Sequence, residues 1–388
     1  MLSPTPASHL SDPEITAGPP ADEAGGILTV DLSSIAANYK TLRSTAVPAE
    51  CAAVVKADGY GLGLEPVAKQ LVDVGCHTFF VADLAEGKRL RKAAPRATIY
   101  ILNGLPQGTG QVFADHNLRP VIGSTAELAE WDAFSGNARW EGGFALHVDT
   151  GMNRLGISVE EAAAIAPRID AGNHGIKLIM SHFVASQFVE SQRNQEQLVA
   201  FRNVRALFRG VPASIANSSG IFLGGSAHLD LVRPGAALYG INPTPGKSNP
   251  MKPVVELKVR IVKLRDIGFG ETVGYDATWT ARRPSRIATV TMGYADGFAR
   301  AQSGSDQKPG GTLLVNGKPC PIVGRISMDL VALDVTDLPA GSVKRGDFAT
   351  VIGEGRDADA VGDMLGTIGY EVLTGLGRRY ARIYKGGE

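Results

Sequence analysis

One lysine, Lys56, stands at the end of a short apolar run and directly before a glycine-rich turn. Residues 51–55 are apolar and partly β-branched, which favours a buried strand. Gly59, Gly61 and Gly63 follow, so we expect the backbone to turn sharply there. Burial at such a strand end lowers the pKa of an amine, which helps a lysine to form a Schiff base with a carbonyl. The alternative is a solvated lysine at a strand-to-loop junction.

Polar or glycine-rich segments also follow four later apolar runs. They occupy residues 147–156, 181–183, 217–220 and 233–236. Serine hydroxyls and backbone N–H groups near glycines suit a phosphate dianion. A lysine able to form a Schiff base, a phosphate site and two arginines, Arg154 and Arg233, together indicate pyridoxal phosphate as a cofactor.

The elements that must position these residues repeat along the first two thirds of the chain. Apolar, β-branched runs lie around Val54 and at 78–81, 98–102, 118–122, 144–148, 177–180, 213–216 and 229–232. Between many of them, apolar residues recur three and four apart, as helices require. Eight strands alternating with helices predict a (β/α)8 TIM barrel, in which functional groups gather at the C-terminal ends of the strands. A doubly wound open sheet is the alternative, but no GxGxxG follows the first strand.

A proline-rich stretch at 242–253 ends this alternation and indicates a domain crossing. Beyond it, apolar and polar residues alternate in short runs separated by turns, which predicts a mostly antiparallel β domain with a short helical stretch near 363–373. Residues 1–26 hold five prolines and neither lysine nor arginine, unlike a secretory or transit signal. We therefore expect a disordered tail over 1–26, the barrel over 27–253 and the β domain over 254–388.

Composition excludes several functional classes. The 388 residues are 44% apolar and 20% charged, with 39 basic and 39 acidic residues, so there is no electrostatic case for binding nucleic acid or an anionic membrane. No apolar run reaches the length of a membrane span. Three scattered cysteines, Cys51, Cys76 and Cys320, indicate reduced thiols in a cytoplasmic protein. The histidines show no metal-ligand spacing, so we expect no metal.

Eight sequence strings, taken together, resemble one known family. They are VVKADGYGLG, TGMNRLG, ANSSG, VRPGAALYG, TVGYDATW, GYADGF, GRISMD and YEVLTGLGRRY. A single short string is weak evidence, because short motifs can occur by chance. Here all eight follow the order found in alanine racemases. The resemblance extends over nearly the whole chain from residue 27 to the C-terminus. It implies an isomerase that interconverts L- and D-alanine with pyridoxal phosphate, supplying D-alanine for peptidoglycan.

The resemblance implies two catalytic bases. Lys56 would hold the cofactor covalently and serve as one base, and Tyr275 in VGYDATW would be the second, supplied by the partner subunit. Racemisation needs groups on opposite faces of a planar carbanion, one removing the Cα proton and the other returning a proton from behind. A homodimer with two shared active sites follows from this resemblance.

The resemblance also implies cofactor-binding and substrate-binding positions. Those expected around the phosphate are Tyr60, Ser218, Gly235, Ala236 and Tyr370, and Asn217 is expected to bind the cofactor as well. Arg233 would face the pyridine nitrogen, with His182 behind it; a guanidinium keeps its proton, so the ring nitrogen would stay unprotonated. Arg154 would lie near the phenolic oxygen and the substrate carboxylate. Met328 and Asp329 would bind substrate from the partner chain, and Tyr294 resembles a residue at the entrance.

Two positions depart from the family pattern. The family often has a lysine at position 147, commonly carbamylated, whereas this chain has His147, which brings no negative charge. We expect a bound anion such as chloride, or neutral His147 itself, to take over that role. Gln187 replaces a frequent aspartate near the substrate entrance. A lost carboxylate there could widen the range of substrates.

Several alternatives remain open at this point. A broader racemase of serine or other small amino acids would share all the strings above. A barrel that only holds pyridoxal phosphate is a different class, but such proteins lack a second domain carrying Tyr275. Basic amino-acid decarboxylases share the two-domain plan but carry a triple-glycine loop and a catalytic cysteine in another context than Cys320. His182, Tyr294 and Tyr370 could also be structural side chains.

Overall fold

The computed structural model describes residues 15–138, 140, 142–169 and 175–387. Residues 1–14, the greater part of the predicted tail, lie outside this range. The chain divides into two compact units. We call residues 34–254 and 356–376 the barrel unit, and the described residues 15–33, 255–355 and 377–387 the sheet unit.

The barrel unit contains eight parallel strand positions. The first strand consists of Glu50–Cys51 and Ala53–Val54, and the others are Thr78–Val81, Thr98–Ile101, Arg119–Ile122, Phe144–His147, Ile176–Met180, Ala213–Ser214 and Leu231–Val232. Seven of these positions form one parallel sheet from the Ala53–Val54 segment to the seventh strand. The eighth strand pairs in parallel with Glu50–Cys51. Arg233, directly after the eighth strand, donates its backbone N–H at 2.9 Å to the carbonyl oxygen of Ala216, which follows the seventh strand. The circle is thus closed, which confirms the predicted (β/α)8 barrel.

Helical segments follow the barrel strands in turn. They are Leu64–Asp73, Leu84–Ala93, Gly110–Asp115, Thr125–Ala138, Val159–Ile165 and Gln192–Leu207, then the short 3-10 turns Ser219–Leu223, Gly225–Ala227 and Ala236–Tyr239. The helix Leu32–Ala46 precedes the first strand. The second strand, Thr78–Val81, is buried at all four residues, as expected of a parallel strand covered on both sides.

The sheet unit is built around one long strand, Val255–Ile267, whose buried and half-buried residues alternate as in a sheet with one covered face. Its sheet runs in the order Ile15–Ala17, Ala381–Lys385, Gly26–Asp31, Val255–Ile267, Phe348–Ile352, Thr312–Val315 and Lys318–Pro321. Ser285–Val290 also pairs with the long strand and with Val331–Asp334. All these pairings are antiparallel except that of Gly26–Asp31 with Ala381–Lys385. The predicted mostly antiparallel β domain is confirmed.

The unit boundaries differ from the sequence-based ones at three places. Ile15–Ala17, within the predicted tail, pairs as a strand with Ala381–Lys385. Gly26–Asp31, expected to span the end of the tail and the start of the barrel, pairs with Val255–Ile267 in the sheet unit. The helices Ala358–Leu365 and Gly369–Thr374, expected in the β domain, belong to the barrel unit. Each difference arises from pairing or packing between segments far apart in the chain, which local pattern does not encode.

Among the described residues, the three cysteines are buried and unpaired. No group of three or more histidine, cysteine, aspartate or glutamate side chains in this part of the chain could hold a metal ion. Of the helices in the described ranges, none is long and apolar enough to cross a membrane.

Candidate active site

A cavity of about 720 Å³ lies in the barrel unit. Residues that follow the strand ends line it, as the barrel architecture dictates. Ten sequence-predicted site residues share this lining: Lys56, Tyr60, Arg154, His182, Asn217, Ser218, Arg233, Gly235, Ala236 and Tyr370. The other four, Tyr275, Tyr294, Met328 and Asp329, belong to the sheet unit.

The segment after Lys56 is a left-handed turn. Ala57, Asp58 and Tyr60 have φ angles of 53°, 56° and 55°, and Gly59 has 63°. Backbone hydrogen bonds close it, among them Gly61 N–H to Ala57 O at 2.7 Å and Gly63 N–H to Asp58 O at 2.8 Å. The glycines made a sharp turn predictable, but three non-glycine residues in the left-handed region are unusual and require support from their surroundings.

The environment of Lys56 favours its neutral amine. Burial lowers the pKa of Lys56, the nearby Arg154 cation lowers it further, and the Glu86 carboxylate opposes both effects. An amine with a lowered pKa is the form that attacks a carbonyl or accepts a proton. The electrostatics therefore agree with the chemistry inferred for this lysine.

Ser218 is placed to donate a hydrogen bond into the cavity. Its Oγ accepts the backbone N–H groups of Gly235 at 3.0 Å and Ala237 at 3.2 Å. With two donors on the oxygen, the hydroxyl proton remains available for an anionic group. The Gly235 amide is engaged by Ser218, so this glycine contributes space: a Cβ there would lie 2.3 Å from the Tyr60 hydroxyl oxygen.

Two tyrosine hydroxyls complete this side of the cavity. Burial raises the pKa of Tyr60 and of Tyr370, so both phenols stay protonated and can donate. The Tyr60 ring stacks on Tyr239 with ring centroids 4.5 Å apart, and Tyr239 Oη donates to Val54 O at 3.2 Å. Tyr239 was not anticipated; it lies within VRPGAALYG, but its contact with Tyr60 could not be seen from sequence. Hydroxyl donors around a glycine gap fit a phosphate group.

Arg233 contributes a buried cation to the same cavity. It is only 4% exposed, and its guanidinium donates to Ser214 Oγ and to Ser181 O, the latter at 2.5 Å. Phe80 lies beneath it, with the ring centroid 5.8 Å from Arg233 Cζ. Burial lowers the pKa of Arg233 to about 9, which leaves the side chain charged at neutral pH.

Two histidines beside this cation are held neutral. Burial and Arg233 lower the pKa of His182 to about 3; its Nδ1 lies 3.5 Å from Arg233 Nη2 and its Nε2 lies 3.5 Å from Asn217 Nδ2. Burial and Arg233 likewise lower the pKa of His147 to about 4. His147 lines the same cavity. The groups around His182 are donors and cations, and at His147 burial and Arg233 outweigh the opposing Asp149 carboxylate, so a second proton is disfavoured on both imidazoles.

Other lining residues were not predicted individually, although Glu371 and Thr374 lie within the string YEVLTGLGRRY. Leu102 and Asn103 follow the third strand, and Ile368, Glu371 and Thr374 come from the helical segment near residue 370. Only the location of Asn103 after an apolar run could have indicated it. Gln187 is exposed in the loop after the sixth strand and is not among the described residues that line the cavity.

The four remaining predicted residues are surface residues of the sheet unit. Tyr275 is 69% exposed, Met328 52% and Tyr294 44%. Backbone hydrogen bonds bring Tyr294 close to the Met328 loop, with Ala295 N–H donating to Met328 O at 3.1 Å. Asp329 pairs with Arg379 at 2.7 Å. These residues present side chains outward from their own unit.

Known proteins with the same plan were compared with the chain. The family profile described as alanine racemase, N-terminal domain matches residues 30–243, and alanine racemase, C-terminal domain matches 254–384. A curated alanine racemase from Methylobacterium sp. (strain 4-46) is 50% identical over 361 residues, which cover 93% of this chain and 98% of that protein.

Solved structures agree with these profiles. Alanine racemase from Bartonella henselae, crystallised with covalently bound pyridoxal phosphate, is 38% identical with a TM-score of 0.87 over 93% of this chain and 99% of that one. Biosynthetic alanine racemase from Pseudomonas aeruginosa is 33% identical with a TM-score of 0.84, over 94% and 100%. With both domain profiles matched in order and half the residues identical to a curated relative, the chain belongs to the alanine racemase family.

Proposed function

We propose that this protein is a pyridoxal-phosphate-dependent racemase that interconverts L-alanine and D-alanine. The observation that carries the proposal is one cavity that combines the half-buried Lys56, the hydroxyl donors around Ser218 and the buried cation Arg233. These are the groups needed for a covalent link, a phosphate and a ring nitrogen of the cofactor.

The residues present fit that cofactor. Tyr60, Ser218 and Tyr370 would donate to the phosphate, with Asn217, Gly235 and Ala236 shaping its site. When bound, pyridoxal phosphate supplies an electron sink that makes the Cα proton of an amino acid acidic. Arg233, charged at neutral pH and backed by neutral His182, would keep the ring nitrogen unprotonated. A weaker sink favours return of a proton to Cα over side reactions.

Lys56 would hold or move the Cα proton on one face. Its lowered pKa favours the neutral amine, which is the base. Arg154, exposed at the cavity, would bind the substrate carboxylate and lie near the phenolic oxygen. Neutral His147 would replace the family's negatively charged group without charge of its own.

Tyr275 would act on the opposite face, from a partner subunit in a homodimer. Met328 and Asp329 would bind substrate from the same partner, with Tyr294 at the entrance. Support comes from the exposure of Tyr275, Met328 and Tyr294 in the sheet unit, which leaves these side chains accessible to a partner.

Mixing the inactive variants Lys56→Ala and Tyr275→Ala under subunit exchange should restore part of the activity, because one site of each mixed dimer is intact. A chain carrying both changes, mixed with either single variant, should restore none.

We further propose that the enzyme works in the cytoplasm and supplies D-alanine for peptidoglycan. Loss of the protein should then make growth depend on added D-alanine. A protein that only holds the cofactor is disfavoured by the complete second domain match over residues 254–384.

The decisive test of the proposal combines attachment and turnover. Borohydride treatment of protein incubated with pyridoxal phosphate should label the peptide containing Lys56, and chiral chromatography should detect D-alanine from L-alanine. Label on another lysine, or unchanged L-alanine beside a labelled Lys56, would refute the proposal.

A further inference from the structure

We propose that Glu86 and Arg89 are positioning residues that hold the left-handed turn after Lys56 and thereby fix the direction of that lysine. The inference deepens the proposed function and rests on it, because it takes Lys56 as the residue that binds the cofactor. Neither side chain lines the cavity in the described part of the chain. Both act from the helix Leu84–Ala93, which follows the second barrel strand.

The turn needs external support. Ala57, Asp58 and Tyr60 occupy the left-handed region, which is disfavoured for residues with a Cβ. Such backbone persists only where neighbouring groups over-determine it. A relaxed turn would change the direction of the Lys56 side chain, since Lys56 is the residue from which the turn departs.

The Glu86 carboxylate ties the turn to the neighbouring strand. Its Oε1 accepts the N–H of Asp58 at 3.0 Å, and its Oε2 accepts the N–H of Ala82, directly after the second strand, at 2.9 Å. The Glu86 N–H itself donates to Asp83 Oδ1 at 3.0 Å, which anchors the first turn of its helix. One side chain thus joins the ends of the first two barrel strands.

Arg89 holds the side chain of Asp58, the residue whose amide Glu86 binds. Its Nη2 donates to Asp58 Oδ1 at 2.6 Å, and its fork bonds both oxygens of Glu65 at 2.7 Å. Asp58 Oδ1 also accepts the N–H of Leu64 at 3.2 Å. The charged side chains are 42–43% exposed, so the ion pairs add little stability by themselves. The geometry is therefore what matters: Glu86 holds the amide of Asp58 and Arg89 holds its side chain.

A glutamate that accepts N–H groups after two neighbouring strands occurs again two strands further on, at a place where no catalytic lysine follows the strand. Glu127, in the first turn of Thr125–Ala138, accepts the N–H of Leu105 at 2.9 Å and the N–H of Gly123 at 2.9 Å. It joins the ends of the third and fourth strands as Glu86 joins those of the first and second. Glu127→Gln is therefore a matched control for the cost of weakening such a link.

Charge provides a second readout. The Glu86 carboxylate raises the pKa of Lys56 while Arg154, the other charged group near the amine, lowers it. Replacing Glu86 by glutamine keeps the size of the side chain, leaves one acceptor for two N–H groups and removes the charge. The change should therefore affect both the direction of Lys56 and the pH at which it becomes neutral.

The test measures covalent attachment of pyridoxal phosphate to the apoprotein, trapped with borohydride and quantified at Lys56 by mass spectrometry across pH. Glu86→Gln and Arg89→Leu should lower the maximal attachment rate about 10- to 100-fold, by analogy with the loss seen when the partners that orient metal ligands are replaced. Glu86→Gln should also move the pH midpoint downwards. Asp58→Asn, which keeps an acceptor and suits the left-handed region, should fall between these and the wild type. Glu127→Gln should keep the wild-type rate and midpoint.

Wild-type rates in folded Glu86→Gln and Arg89→Leu would overturn the inference, as would an equal loss in Glu127→Gln. If neither of the first two variants folds, Asp58→Asn decides: slower attachment supports the inference and an unchanged rate overturns it. Failure of the wild type to attach the cofactor at Lys56 would instead refute the proposed function itself.

Discussion

Replacing Ser218 by alanine should weaken cofactor binding through the phosphate. Ser218 Oγ accepts two backbone N–H groups, at 3.0 and 3.2 Å, and its own proton is left for the ligand. Alanine removes that donor and the acceptor for both amides. Both amides are buried and would lose that acceptor, so thermal stability should also fall, by about 1–3 kcal/mol for each unsatisfied amide.

The magnitude follows from the lost hydrogen bond. A hydrogen bond to a charged group contributes about 1.5–3 kcal/mol, and each ~1.4 kcal/mol changes a dissociation constant tenfold. Ser218→Ala should therefore raise the dissociation constant of pyridoxal phosphate by about 10- to 150-fold.

The assay titrates apoprotein with pyridoxal phosphate and, in parallel, with pyridoxal, which lacks the phosphate. Ser218→Ala should weaken binding of the first and leave the second nearly unchanged. Ser219→Ala is the matched control, because Ser219 is buried beside Ser218 but is not among the described lining residues. Equal weakening for both ligands, or an equal effect of Ser219→Ala, would refute the reasoning.

Three further predictions concern proton transfer and charge. The rate of cofactor attachment at Lys56 should rise with pH and reach half its maximum below about pH 10.4, the ordinary lysine pKa. The reason is that burial and Arg154 favour the neutral amine. A midpoint at or above about pH 10.4 would contradict this. Tyr275→Phe should slow proton transfer on one face about 10²- to 10⁴-fold, measured as deuterium uptake starting from each enantiomer; equal losses from both would count against two bases. With neutral His147, rather than a bound anion, in place of the family's negative group, wild-type turnover should be the same in chloride-free buffer and His147→Ala should lower kcat about tenfold, the value of one hydrogen bond; a chloride-dependent wild type with an unchanged variant would assign the role to the anion instead.

The barrel could be predicted because its strands are short apolar runs at regular intervals. The strand Thr78–Val81, for example, is buried at every residue and has no exposed polar face, so it stands out in the sequence as an apolar run. Membership of Gly26–Asp31 in the other sheet could not be predicted, because it depends on pairing with Val255–Ile267 more than 200 residues later. Local pattern specifies that a segment is a strand, and long-range packing decides its neighbours.

The site divides in the same way. Ten of the predicted residues line one cavity. Nine of them do so because each follows a strand that ends on the same face of the barrel. Tyr370 comes instead from the helix Gly369–Thr374. The stacking of Tyr239 on Tyr60 was not predictable, since the two are distant in sequence. Nor was the left-handed backbone of Ala57 and Asp58, which depends on Glu86 and Arg89 in a later helix rather than on local preference.

The central claim is tested most directly by proton NMR of the purified protein with pyridoxal phosphate and L-alanine in D2O, followed by chiral analysis. The account predicts that deuterium enters Cα while D-alanine accumulates to equilibrium. Exchange with retained configuration would mean that Lys56 acts without a second base, which contradicts the role of Tyr275. Absence of both exchange and D-alanine would contradict racemisation of alanine by this protein.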